Sequence, residues 1–422
     1  MADPLCIIHI ARPAEAELQR HVTTLTEALV ARHVQTIVAG PLDRRFREEL
    51  SRRDVRWANV PLPENMAWHS QRKAAEHLGR FLRAVQPDVV HAHGFQAAFT
   101  AWLALRNVRP AVPIVVAPHG VPYYASQPKW ERLVRRHAYR RVLSVCKAII
   151  AGSEAERSEL LALAPAGTDQ RLHVVVPGVE PRQKSSLFDT GQKRLRVGLH
   201  QDAAIVAVRA HLRPGVPMED FLRSAALLSE KIPNVEFAIL GDGPRMEELK
   251  TLAHELRLSG SAVFLGARAD AREIASCCNV FVALTEGPWG VQHALEALSR
   301  DLRIVAADLP GLREVLEGVQ GVPLVQLSDH RAFADAMLHQ LEQFSVDEED
   351  IKVGTGMVWG LSEVLASQDE YDLDRPGLDR RDRAKEATSD TDRVLARYSV
   401  ANMAQGTLDV YEQILATPPA SD

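Results

Sequence analysis

Two strand-to-helix junctions carry residue types that could hold a phosphorylated ligand. After the apolar run VEFAIL stands Gly241-Asp242-Gly243-Pro244, a turn ahead of a helix expected from near Arg245. After VFVALT stands Glu286-Gly287-Pro288-Trp289-Gly290, followed by a helical pattern that carries Glu296 within HALEALS. Glycines at such junctions, here Gly243, Gly287 and Gly290, let the backbone come close to a phosphate that faces helix N–H groups. A carboxylate two turns into the helix can accept hydrogen bonds from a ribose diol, the role open to Glu296. Taken singly, each feature is also what a plain βα turn or a solvated helix face would carry. A third segment, KWERLVRRHAYRRVL over 129–143, holds six basic residues and one acidic. Wound as a helix it aligns Arg132, Arg135, Arg136 and Arg140, a face suited to anionic lipid headgroups or simply to water.

Residues of this kind need a scaffold, and the chain is long enough to build two. Its 422 residues are 46% apolar and 25% charged, the balance of a soluble globular protein, which excludes disorder throughout. The net charge of −5 divides unevenly: residues 1–190 carry 26 Lys+Arg against 18 Asp+Glu, and the remainder 24 against 37. A basic domain joined to an acidic one is expected, the first able to prefer anionic surfaces. No zinc finger, RNP-like strand or aromatic-interleaved basic stripe suggests nucleic acid as a partner. Cys6, Cys146, Cys277 and Cys278 are too few and too scattered for a disulfide framework, and no Cys-x-x-Cys or Cys/His spacing suggests a metal. The start, MADPLCIIHIARP, has no basic leader, and no run reaches the roughly 20 apolar residues of a bilayer span. A cytoplasmic protein is expected, at most peripheral at the inner membrane face.

Short β-rich runs (LCIIHI, QTIVAG, PDVVHAH, PIVVAPH, AIIAGS) alternate with helical patterns such as ELQRHVTTLTEALVARH. That alternation implies a parallel sheet covered by helices. RLHVVVPGVEP closes the series, PRQKSSLFDTGQKRLR reads as a linker, and a second series runs from AAIVAVRA to VPLVQL. The fold class is therefore α/β with two doubly wound domains, over 1–180 and 190–395. Residues 345–393, with 14 acidic and 7 basic residues, break the rhythm and read as a solvated insertion. Residues 396–416 should form a packed terminal helix.

The order of the pieces PDVVHAHG, APHG, AGSEAERSEL, VVVPGVEP, LGDGPRMEEL, VFLGA, the Glu286 to Glu296 segment and DLPGLREVLEG with GVPLV resembles family-4 retaining glycosyltransferases, of GT-B architecture. The resemblance spans nearly the whole chain outside 345–393. It implies a nucleotide-diphosphate sugar as co-substrate on the second domain, no bound metal or other cofactor, and an acceptor on the first domain, either lipid-linked or a polysaccharide. It also implies that the terminal helix returns to the first domain. By position, Arg209 matches the arginine that offsets the diphosphate, and Arg213 stands near the partner lysine's place, which falls at Pro214-Gly215. Glu296 matches the ribose-binding glutamate, and His119 in APHG matches a histidine beside the transferred sugar. His91 and His93 are as readily structural.

Three positions depart from the family pattern. Ala16-Glu17 stands where a Gly-Gly turn would face the donor phosphate, and a carboxylate there would repel it. Pro177-Gly178 replaces Asn-Gly. Pro288 occupies the place of the first motif glutamate, with Glu286 two residues earlier; a loop bent outward between Gly287 and Gly290 would bring Glu286 to the sugar. Two functions follow from these residues: a glycosyltransferase transferring a hexosyl unit, or a catalytically inactive relative serving as a binding or scaffold protein.

Overall fold

The computed structural model describes residues 4–12, 16–63, 67–106, 108, 111–120, 129–181, 190–268, 270–285, 287–351 and 390–416. They form two compact units. The first holds residues up to Glu180 together with those described in 286–292 and 397–416; the second holds the described parts of 181–285 and 293–396.

In the first unit seven strands run parallel in the order β3-β2-β1-β4-β5-β6-β7. They are β1 (Cys6–Ala11), β2 (Gln35–Gly40), β3 (Arg56–Asn59), β4 (Val89–His93), β5 (Ile114–Ala117), β6 (Ala148–Ala151) and β7 (Leu172–Val174). Helices α1 (Ala16–Val30), α2 (Arg44–Arg52), α3 (Trp68–Val85), α4 (Phe95–Leu105), α5 (Lys129–Val145) and α6 (Glu154–Leu163) alternate with them. β4 and β5 are buried along their whole length because helices cover both faces, which is why their sequences show no polar alternation. One core joins Ile8, Ile10, Val90 and Val116 to Leu78 and Leu82 of α3. Another joins Ile7, Val89 and Val115 to Leu25 of α1 and to Met403, Leu408 and Tyr411 of the chain's last helix (Val400–Ala416). That helix therefore belongs to the hydrophobic core of the first unit.

The second unit is a six-stranded parallel sheet in the order β10-β9-β8-β11-β12-β13. Its strands are β8 (Ala204–Arg209), β9 (Val235–Leu240), β10 (Ala262–Gly266), β11 (Val280–Ala283), β12 (Arg303–Ala307) and β13 (Leu324–Val325). The helices between them are α8 (Met218–Lys231), α9 (Met246–Glu255), α10 (Ala271–Ala275), α11 (Pro288–Leu298, whose residues up to Gln292 belong to the first unit) and α12 (Pro310–Leu316), with α7 (Thr190–Arg196) ahead of β8 and α13 (His330–Ile351) after β13. In both sheets the chain reverses its direction of travel across the sheet, between β1 and β4 and between β8 and β11. Open α/β sheets bind ligands at the carboxyl ends of such strands.

The two sheets share a device at corresponding places. A Cβ on Gly40, at the end of β2, would lie 1.9 Å from the Ala11 carbonyl oxygen, and one on Gly241, after β9, 1.8 Å from that of Ala210. In each unit the second strand thus ends pressed against the backbone of the first, an approach only glycine permits.

Candidate functional site

The crevice end of the first sheet is built from histidines. β1 and β4 pair in register His9↔His91 and Ala11↔His93, and β4 places His91 and His93 two residues apart, on the same face. α1 adds His21 and the end of β5 adds His119. His93 is the centre: its Nε2 lies 3.1 Å from His9 Nδ1 and its Nδ1 3.0 Å from His119 Nε2. The rings of His93 and His119 stack at 5.3 Å, His21 meets His119 edge-on at 4.9 Å, and Trp289 stacks on His119 at 5.0 Å. His91 Nδ1 is 2.6 Å from the Tyr411 hydroxyl, so the chain's last helix takes part in the cluster.

Burial keeps these rings neutral. It pushes His9 down to about 3 and His21 to about 4, and it holds His91, His93 and His119 well below the ordinary histidine value, with mutual repulsion adding to the effect. His119 sits at φ 56°, in the left-handed region, and Gly120 follows at φ 104°. Glu156 in the first turn of α6 braces this turn, accepting the Gly120 N–H at 2.5 Å and the Gly152 N–H at 2.6 Å. The Ser153 hydroxyl caps α6 by accepting the Glu156 N–H at 3.0 Å. Burial lifts the Glu156 carboxyl to about 7, against the two N–H donors, which favour its charged form.

In the second unit Arg209 ends β8 and Glu296 lies on α11. Both are buried, at 6% and 5% exposed, and Arg209 Nη1 donates to Glu296 Oε2 at 2.8 Å. Arg272 of α10 stands 3.8 Å from the other carboxylate oxygen. Two residues 87 positions apart, singled out separately in the sequence, are thus direct partners. Arg213 is exposed in the loop between β8 and α8. A Cβ on Gly243 would come within 2.2 Å of the Leu212 carbonyl oxygen, so this glycine serves close packing of its own turn. Gly287 is required differently: it has φ 86° in open space. Glu286 lies outside the described residues.

The departures acquire structural reasons. Pro288 is the first residue of α11, where the missing N–H costs nothing and the fixed φ suits the helix, so residues 288–290 are helical and the outward loop expected between Gly287 and Gly290 is not formed. Glu17 is in the first turn of α1, where a carboxylate is favoured by the helix dipole. A Cβ on Gly178 would lie 2.6 Å from Val400 Cα; Val179 donates to the Tyr398 carbonyl at 2.9 Å and accepts from the Val400 N–H at 3.2 Å. That glycine lets the last helix dock. His9, His21 and Glu156 were not singled out in the sequence. Only the pairing of β1 with β4 and the packing of α1 and α6 bring them to His93 and Gly120.

Comparison with known proteins agrees with this architecture. Residues 18–183 match the family model Glycosyltransferase Family 4, and residues 205–343 match Glycosyl transferases group 1. HepE of Anabaena, solved with UDP-glucose, superposes with a TM-score of 0.70 at 16% identity, over 98% of this chain and all of that one. This chain has the GT-B glycosyltransferase fold. Sucrose-phosphate synthase of Thermosynechococcus elongatus superposes on the GT-B chain with a TM-score of 0.67 at 16% identity, over 98% and 99% of the two chains. In sequence the GT-B chain is 25% identical over 348 residues to a D-inositol 3-phosphate glycosyltransferase of Nocardioides sp., covering 76% of this chain and 71% of that one. Among the described residues of the GT-B chain, no helix is long and apolar enough to cross a membrane.

Proposed function

We propose that the chain transfers a hexosyl unit from a nucleotide-diphosphate sugar to an acceptor, with retention of anomeric configuration. The observation that carries this reading is the buried Arg209–Glu296 pair, with Arg209 at the carboxyl end of the strand where the second sheet reverses direction. The carboxylate holds the guanidinium in place before substrate arrives, so charge developing on a leaving diphosphate meets a donor that need not reorganise. Arg213 adds a second cation, and Glu296 also receives the ribose hydroxyls. Gly287 and Gly290, at the start of α11, let the phosphates come close to the backbone, His119 lies beside the transferred sugar, and Glu286 supplies the carboxylate missing at Pro288. HepE, of the same fold, was solved with UDP and with UDP-glucose, which makes UDP the first nucleotide to try.

The test is a thermal-shift series with UDP, GDP and ADP, followed by turnover of the sugar conjugate of whichever binds. A ligand at 100 times its dissociation constant should add about 2.7 kcal/mol of stability. Absence of a shift with all three would refute the donor-binding reading. Binding without turnover would select the inactive scaffold, the reading that Pro288 and Glu17 favour.

In this proposal α5 is the contact with an anionic surface that presents a lipid-linked or polysaccharide acceptor. Leu133, Arg136 and Arg140 are exposed there, around a groove of about 560 Å³ that His137, Arg141, Ser144 and Pro165 also line. Arg136→Glu with Arg140→Glu should abolish co-sedimentation with phosphatidylglycerol vesicles at low salt. Equal sedimentation of variant and parent would remove α5 from the contact.

A further inference from the structure

The histidine cluster leaves nitrogens that protein contacts alone do not satisfy. His9 Nε2, His21 Nδ1 and His91 Nε2 are buried without a hydrogen-bond partner among the described residues. Either direction of proton donation along His9, His93 and His119 leaves His9 Nε2 unmatched, and an unsatisfied buried polar atom typically costs about 1–3 kcal/mol. His21 Nδ1, on a side chain more than nine-tenths buried, is the one of the three that belongs to the site proposed below. Five imidazoles meeting, with no carboxylate in the clusters they form among the described residues, are instead a set of neutral nitrogen donors, the kind that binds a divalent transition ion.

We propose that His21, His93 and His119 form a binding site for one divalent transition-metal ion of the Zn²⁺ class, with a fourth coordination position left open. One ring nitrogen from each of the three lies within 4.8 Å of the others. His93 Nδ1 and His119 Nε2 are 3.0 Å apart, and ligand nitrogens on a tetrahedral zinc, about 2.0–2.1 Å from the metal, stand roughly 3.3 Å apart. The two rings now face each other nitrogen to nitrogen, and turning them so that both lone pairs meet at one point admits the ion. His93 then donates its remaining Nε2–H to His9 Nδ1, already 3.1 Å away, the outer support that metal-bound histidines characteristically have. Trp289, stacked on His119 and edge-on to His21 at 5.8 Å, restrains both rings.

A second trio, His9, His91 and His93, is equally compact, but it is buried throughout and His91 is engaged with Tyr411. The chosen trio includes His119, which is partly exposed and provides a path for the ion. The ligands come from α1, β4 and the end of β5, so no short sequence spacing announces the site. It shares His119 with the sugar-transfer reading, but its test reads metal binding alone, so either can fail without the other.

The test uses the full-length chain, stripped with a chelator and titrated with Zn²⁺ against a chromophoric chelator and with Co²⁺ by visible absorption. One tight equivalent is expected, with the intense ligand-field bands of four-coordinate cobalt. His21→Gln and His119→Gln should each abolish stoichiometric binding, while His9→Gln weakens it about 10–100-fold. His91→Phe should leave it intact. Because substitutions in a buried cluster can unfold a protein, His21→Cys provides a gain of signal: a ligating thiolate adds a sulfur-to-cobalt charge-transfer band in the near ultraviolet. Failure of the parent to bind one equivalent would overturn the site. So would binding that survives at His21→Gln and His119→Gln but is lost at His91→Phe, or a folded His21→Cys protein without the new band.

Discussion

Glu296→Ala should destabilise the second unit by about 3–5 kcal/mol, because it leaves the Arg209 guanidinium buried beside β11 with its principal carboxylate removed. The pair is 2.8 Å apart with both side chains under a tenth exposed, and Arg272 at 3.8 Å from Glu296 cannot supply the missing negative charge. Arg209→Met combined with Glu296→Leu should recover much of the loss, since apolar groups of similar size remove both charges together. Nucleotide affinity should follow another pattern: both variants lose it, including the stable double variant. Urea unfolding beside nucleotide titration on the same three proteins separates the two roles. A Glu296→Ala protein within about 0.5 kcal/mol of the parent would contradict the buried pair, being no larger than an ordinary surface change.

Acidification should destabilise the metal-free first unit strongly. His9 and His21 are pushed down to about 3 and about 4 from an ordinary 6.5. Below the ordinary value the unfolded chain takes up protons that the folded rings refuse, so stability falls as pH drops from about 6.5 toward the folded values. Each pH step over which only the unfolded ring holds the proton costs about 1.4 kcal/mol, so at about pH 5 each ring accounts for about 2 kcal/mol. His91, His93 and His119 act in the same direction. Glu156 opposes them: lifted to about 7 from 4.5, it binds its proton more readily when folded, so its contribution grows on acidification and offsets about one histidine. Net stability is therefore expected to fall. Chelator-treated protein should show a lower urea midpoint and a smaller unfolding free energy at pH 5 than at 7.5, and His9→Phe should narrow the free-energy gap by about 2 kcal/mol. Equal midpoints at the two pH values would show that the rings are not held neutral by burial.

The α/β class was legible in the sequence because strands buried on both faces must be apolar throughout, as VVHAH and IVVA are, while the helices between them need polar outer faces. The ordered pieces from PDVVHAHG to GVPLV carried the GT-B resemblance, and Arg209, Glu296 and His119 were found by their places in that order. Each of these signals lies within one strand, one helix or one turn, so local residue choice records it. What pairs with what lies elsewhere. That Arg209 grips Glu296 depends on where α11 lies against the end of β8. The meeting of His9, His21, His91, His93 and His119 depends on the β1–β4 register and on helix packing, since a one-residue slip would turn a strand's side chains to the other face of the sheet. Pro288 looked like a loss from a motif, and only the tertiary structure gave it a reason, since it begins α11; only the fold, likewise, shows that Gly178 lets the last helix press against the backbone at Val400. Local sequence determines which elements form, because propensity and hydrophobic period act over a few residues. Chemistry between residues 87 or 320 positions apart is decided by packing, because only the folded chain brings such groups within hydrogen-bonding distance.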